Sequence, residues 1–173
     1  MQNNNPEVPG IVYKLAQDDE KARKLDNVRK LWDAILEIRP VKNVFMDGDI
    51  NRESYAVDHF IPRNFVMNDE LWNLMPMDPI QNMKKNKKLP VWEDYFGQFA
   101  NNQFMMYEMI FEKPGLLKLY KQCYKDNLHS IWAIQELYRQ GNSPTEFINI
   151  LEKNMQPVYD SARRQGYEIW KVS

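Results

Sequence analysis

Apolar residues recur at helical spacing from Asp18 to Ile38, where Ala22, Leu25, Val28, Leu31, Trp32, Ile35, Leu36 and Ile38 are separated by Lys, Arg, Asp and Glu. The pattern predicts an amphipathic helix that Asp18 can cap and Pro40 ends. Then the period changes. Val44-Phe45-Met46 and Tyr55-Ala56-Val57 are short apolar runs on either side of Asp47-Gly48-Asp49-Ile50-Asn51, whose Asp-Gly pair predicts a β-hairpin with Asp58-His59 at the end of its second strand. From Pro62 to Pro79 the prolines and scattered Asn and Asp predict a loop. Leu71, Trp72, Leu74 and Met75 are too apolar to be solvated, so that loop must pack down on something. Ile80 to Lys87 can form one or two helical turns, closed by Leu89-Pro90. Strand, strand, loop and short helix make a ββα unit.

Beyond Pro90 the chain reads as helix. Trp92, Tyr95, Phe96, Phe99, Met105, Met109 and Ile110 mark one segment ended by Pro114-Gly115; Leu116 to Tyr124 and Leu128 to Tyr138 follow, the latter stopped by Gly141. Ser143-Pro144-Thr145-Glu146 is a capping-box pattern opening a last helix, which Pro157 should kink or restart and Gly166 should end. The expected fold class is therefore α+β and mostly helical, with a ββα motif embedded between an N-terminal helix and a C-terminal helical bundle. The expected boundaries are a flexible tail over 1–17 and one compact unit over 18–173. Within that unit lie the N-terminal helix 18–40, the ββα core 41–90 and the helical region 91–173.

Composition narrows the functional classes. Of 173 residues, 43% are hydrophobic and 13% aromatic, too much apolar side chain for a disordered protein. The formal net charge of -1 gives no global nucleic-acid signal, so any anion-binding surface must come from local clustering, as at Lys84, Lys85, Lys87 and Lys88. A lone cysteine, Cys123, excludes an internal disulfide and a Cys-rich zinc ribbon and fits a reducing compartment; a cytoplasmic setting is expected. The N-terminus lacks the basic start and apolar run of a signal peptide, and no window approaches the roughly 18 apolar residues of a membrane span, so no membrane association is expected.

Hydrolysis of a phosphodiester requires a base to take a proton from water, a cation to stabilise the leaving oxygen and positive charge to hold the backbone. One short segment supplies candidates for all three. His59 is the candidate base, because imidazole is the side chain whose ordinary titration falls near neutral pH. Asp58 and Asn82 can offer a carboxylate and an amide oxygen to one hard cation such as Mg2+ or Mn2+, with waters and phosphate oxygens completing the shell. Alternation along a strand puts Asp58 and His59 on opposite sides, so the two can serve one site only if the strand bends or ends there. Asn73 is placed to tie the loop to the strand bearing His59 through backbone hydrogen bonds. Lys85, one turn after Asn82, can face the same side, and Lys84, Lys87, Lys88 and Arg63 add positive charge where a phosphate backbone would pass.

Asp58-His59-Phe60-Ile61-Pro62, Trp72-Asn73-Leu74, Asn82-Met83-Lys84-Lys85 and Leu89-Pro90 together resemble the HNH endonucleases, the ββα-metal nucleases, and among them the Asp-His-Phe-Ile-Pro branch in its His-Asn-Asn variant. The resemblance covers about a fifth of the chain, a third with the preceding strand and turn. It implies that His59 is the general base, that Asp58 and Asn82 hold one divalent ion, that Asn73 braces the loop and that a nucleic-acid strand is nicked or cut. Because a neutral amide is a weak ligand for zinc or nickel, Mg2+ or Mn2+ is the expected cofactor. Many relatives hold a structural zinc with cysteine pairs; this chain has none, so packing against Trp32, Trp72 and the helices must support the hairpin. The implied partner is DNA, with RNA not distinguished, and a homodimer or partner subunit fits a double-strand break.

Blander readings apply to other residues. Trp72, Trp92 and Trp132 are expected in the core rather than as base-stacking platforms, Met105, Met106 and Met109 as core filler, Cys123 as buried and inert, and His129 as a structural histidine on an apolar face. The competing functional class is a non-catalytic nucleic-acid-binding or protein-interaction module that keeps the ββα shape.

Overall fold

The structure, a computed structural model, describes residues 24–173. The expected tail and the Asp18 cap lie outside the described residues. Residues 24–38 form helix α1, with Val28, Leu31, Trp32 and Ile35 fully buried along one stripe, as the apolar spacing predicts. The segment 44–46 is not a strand. Lys42 and Asp49 form an isolated antiparallel bridge, Asn43 N–H donates to the Gly48 carbonyl at 3.0 Å, and the Asn43 side chain accepts from Phe45 and Met46 N–H. Phe45 is apolar because its ring packs edge-on against Tyr95 and Trp170 at 4.8 and 5.1 Å, not because it lies in a sheet.

The first strand, β1, runs Ala56–His59. A single turn of helix, α2 (Arg63–Val66), and a 3-10 turn (Leu71–Asn73) follow, and the strand β2 is Leu74–Met77. The two strands pair antiparallel, with His59 opposite Leu74 and Ala56 opposite Met77. The partner of the Asp-His strand is therefore downstream, inside the stretch that the prolines suggest is loop. Pro76, opposite Val57, is tolerated because a two-stranded sheet consists of edges, where a missing N–H need not break the ladder. Helix α3 (Pro79–Lys85) opens on Asp78, whose carboxylate accepts from Gln81 N–H, and completes the ββα unit.

Leu89–Pro90 forms a short strand, β3, that pairs in parallel with the C-terminal Ile169–Trp170, β4. Between them lie α4 (Trp92–Glu112), α5 (Pro114–Gln122), α6 (Tyr124–Asn127), a π turn (Ala133–Leu137) and α7 (Pro144–Arg164). The capping box at Ser143 and Glu146 is formed in both directions. Helix α7 continues through Pro157, contrary to the expected break: Phe147, Leu151, Met155, Tyr159 and Ala162 form a buried stripe on both sides of the proline, and that packing outweighs one lost backbone bond. Residues 128–130 are also not helical, because the backbone N–H groups of His129 and Ser130 are taken by the Glu70 carboxylate. His129 itself is exposed, not set on an apolar face.

The core sits around the turn that follows β1. Phe60 is fully buried among Phe99, Trp92 and Phe96, with ring centroids 4.6 to 6.1 Å away, and Trp72 packs on Trp132 at 4.9 Å. Met106 and Met109 are buried, and burial pushes the Cys123 thiol up to about 12, consistent with an inert side chain. Among the described residues no helix is long and apolar enough to cross a membrane.

The C-terminal strand closes this core, since the Trp170 ring reaches both Phe45 and Tyr95. Trp170→Ala should cost about 3 kcal/mol in urea unfolding and speed exchange of the Val91 amide, which donates to the Trp170 carbonyl. A loss under about 1 kcal/mol would mean that β4 is not part of the cooperative core.

Candidate active site

Where β1 ends, Asn73 fixes the path of the chain. Its Oδ1 accepts from Ile61 N–H and its Nδ2 donates to the Ile61 carbonyl, both at 2.9 Å, and Phe60 N–H donates to the Asn73 carbonyl at 2.8 Å. Asn73 is fully buried, so each of these bonds satisfies a backbone group that water cannot reach. Gln103 of α4 holds the next residue in the same way, donating to the Leu74 carbonyl at 2.8 Å.

His59 is 5% exposed, and its ring is oriented by the loop after α2. Met67 takes a left-handed conformation, φ 59°, which turns the chain back so that Asn68 and Asp69 meet the imidazole. The Nε2 atom lies 3.0 Å from Asp69 Oδ1 and 3.1 Å from the Asn68 carbonyl. Two acceptors at one nitrogen place the proton on Nε2 and leave Nδ1 as the basic atom. Asp69 also accepts from Arg63 Nε at 3.0 Å. Burial would raise the Asp69 carboxyl, but the hydrogen bonds from His59 and Arg63 and their charge outweigh it and hold it below its ordinary value. Asn127 anchors the loop from the other side, donating to the Asp69 carbonyl at 2.8 Å. The neighbouring Glu70 accepts from Trp72 Nε1, from His129 and Ser130 N–H and from the Ser130 hydroxyl.

Lys85 is not a surface lysine. It is 0% exposed, and its ammonium donates to Asp58 Oδ2 at 3.1 Å and to the His59 carbonyl at 2.8 Å. The expectation that it meets a phosphate is therefore corrected: an interior cation must find partners, and Lys85 finds them in the strand that carries the site. Helix α3 is thereby drawn against β1, and Asn82, one turn earlier, comes to the same cleft as Asp58.

That cleft, about 370 Å3, is lined among others by Asp58, His59, Arg63, Asn82, Asn86 and Lys87. Asp58 and His59 share it despite strand alternation because β1 ends at His59. Lys84 is exposed and Lys88 half-buried, both outside the lining of this cleft, while Asn73 sits behind it. Lys85 occupies one oxygen of Asp58 and leaves Oδ1 for a ligand. Among the described residues no three His, Cys, Asp or Glu come together to hold a metal ion. A donor set of one carboxylate and one carboxamide instead fits a hard cation that keeps water and takes phosphate oxygens.

Reading from sequence did not single out Asp69, Glu70, Asn127 or Gln103. The available signal at Asp69 and Glu70 was two adjacent carboxylates directly before the apolar Leu71-Trp72, a place where solvated acids are poorly accommodated.

Residues 44–91 match the family model described as HNH endonuclease. The match spans the ββα unit and somewhat more than a quarter of the chain, and it supports the HNH family for this segment. No curated protein and no solved structure matches the chain. Proteins of this family are generally nucleases, typically use a divalent metal and bind nucleic acid.

Two predictions follow the division between bracing and cleft residues. Asn73→Ala should cost about 2–3 kcal/mol by orphaning both backbone groups of Ile61, and Asn82→Ala under about 1 kcal/mol; equal thermal shifts would remove that division. Because the folded state holds Asp69 below the ordinary carboxyl value of 3.8, its contribution is full above that value and lost as pH falls through the lowered one. Asp69→Asn should flatten the acid limb of the stability profile, and an unchanged limb would exclude Asp69 as its source.

Proposed function

We propose that the protein is a metal-dependent endonuclease that hydrolyses phosphodiester bonds in DNA. The observation that carries this reading is the convergence of Asp58, His59 and Asn82 on one cleft, with the imidazole held through Nε2 so that Nδ1 is free to act. A water beside the scissile phosphate gives its proton to Nδ1 of His59 and attacks phosphorus, and the bond from phosphorus to the 3′-oxygen breaks. Asp69 receives the imidazolium charge that this creates, and Arg63 keeps Asp69 ionised for that purpose. Asp58 and Asn82 would hold a divalent ion, Mg2+ or Mn2+, which when bound supplies positive charge to the leaving 3′-oxygen. Lys85 keeps Asp58 aligned, and Lys87, with the part of Arg63 turned to the cleft, attracts the phosphate backbone. Lys84 extends that attraction on the exposed face of α3.

Nicking of supercoiled plasmid tests the reading. Wild type should nick with Mg2+ or Mn2+ and stop on addition of EDTA, and His59→Ala should be slower by about 100-fold to 10,000-fold. Equal nicking rates for wild type and His59→Ala would exclude His59 as the base, and no metal-dependent nicking by wild type would leave a binding module.

A further inference from the structure

A second cleft, about 400 Å3, adjoins the first and is lined by Asn86, Lys87 and Lys88 on one side and by Gly166, Tyr167 and Glu168 on the other. Asn86 and Lys87 line both clefts, so the two are neighbours at the end of α3. The far wall comes from the C-terminal segment, well outside the residues that match the family model. It is held firmly. Leu89 N–H donates to the Glu168 carbonyl at 2.8 Å, and Tyr167 packs edge-on against Phe65 of α2 at 5.4 Å.

The junction residue is strained. Asn86 has φ 51° and ψ -123°, a conformation that glycine adopts freely and an L side chain does not, at a cost on the order of 1–3 kcal/mol. A glycine would close the turn more easily, and its absence points to a use for the side chain of Asn86, a residue that lines both clefts. A carboxamide there can donate to a phosphate oxygen without adding negative charge, and Lys87 and Lys88 continue the same preference.

We propose that the second cleft binds the nucleic-acid strand next to the scissile phosphate, with Asn86 contacting the adjoining phosphate, Lys88 the one beyond, and the turn at residues 166–168 guiding the strand. This rests on the nuclease reading and extends it to the C-terminal segment. Glu168 is the one carboxylate in that lining and limits affinity by repulsion.

The test uses the full chain carrying His59→Ala, a short fluorescein-labelled DNA duplex and its single strand, with binding read by anisotropy over a range of salt. Asn86→Gly should raise the melting temperature while weakening binding several-fold, a pair of opposite shifts that a purely structural asparagine would not give. Lys88→Glu should weaken binding and reduce the salt slope by about 0.7–0.9 per lost phosphate contact. Glu168→Lys should tighten binding. Lys118→Glu, on the exposed face of α5, controls for net charge and should do little. If Asn86→Gly and Lys88→Glu bind like the parent, or Lys118→Glu loses as much as Lys88→Glu, the second cleft is not a binding site, while plasmid nicking by wild type would still uphold the nuclease reading. If the parent neither binds nor wild type nicks, the nuclease reading fails and this inference with it.

Discussion

A fully buried ammonium organises the site. Lys85 cannot remain in the interior without partners, and the two it has, the Asp58 carboxylate and the His59 carbonyl, belong to consecutive residues at the end of β1. One contact therefore sets the angle between strand and helix, the orientation of Asp58 and the position of Asn82 one turn earlier on α3. Buried ion pairs add little net stability compared with apolar packing, but they tolerate few alternative arrangements, because any slip strands a charge. Here that property fixes a geometry rather than a melting point.

Two further ties complete the support. Asn73 closes the turn after β1 through both backbone groups of Ile61, and Asp69 closes the loop after α2 onto His59. The helices brace these ties from behind: Gln103 of α4 holds Leu74, and Asn127 of α6 holds the backbone of Asp69. Beneath them Phe60 is enclosed by Trp92, Phe96 and Phe99, and this apolar enclosure stiffens the turn after β1. The long helices are thus the support that lets so short a sheet hold its register.

What was legible in the sequence follows from what leaves a periodic trace. The stripes of α1 and α4 repeat over several turns and the capping box at Ser143 is a fixed four-residue signal, so local pattern alone fixes them. The Asp58, His59, Asn73 and Asn82 spacing was legible because it is a run of specific residue types. β2 was not, since Leu74–Met77 is buried at every position, shows no alternation and contains a proline. Val44-Phe45-Met46 misled for the opposite reason: an apolar run beside Asp-Gly looks like a strand, yet Phe45 is apolar for the sake of Tyr95 and Trp170. β4 is two residues long and has no pattern to show. Lys85 was hidden among its neighbours, because nothing local separates one inward lysine from Lys84, Lys87 and Lys88.

The carboxylates around the cleft are paired locally, in a chain whose net charge is -1. Asp58 is matched by Lys85 and Asp69 by Arg63, each at hydrogen-bond distance, and Asn82 and Asn86 place neutral amides where acids would repel a phosphate. The acidic residues at the cleft are thus already balanced by the protein's own cations. Lys87, which is exposed, lines the same cleft. A divalent ion added to a balanced site would make it net positive instead of merely neutralising it, which is the electrostatic condition under which a phosphodiester is drawn in and its developing negative charge stabilised.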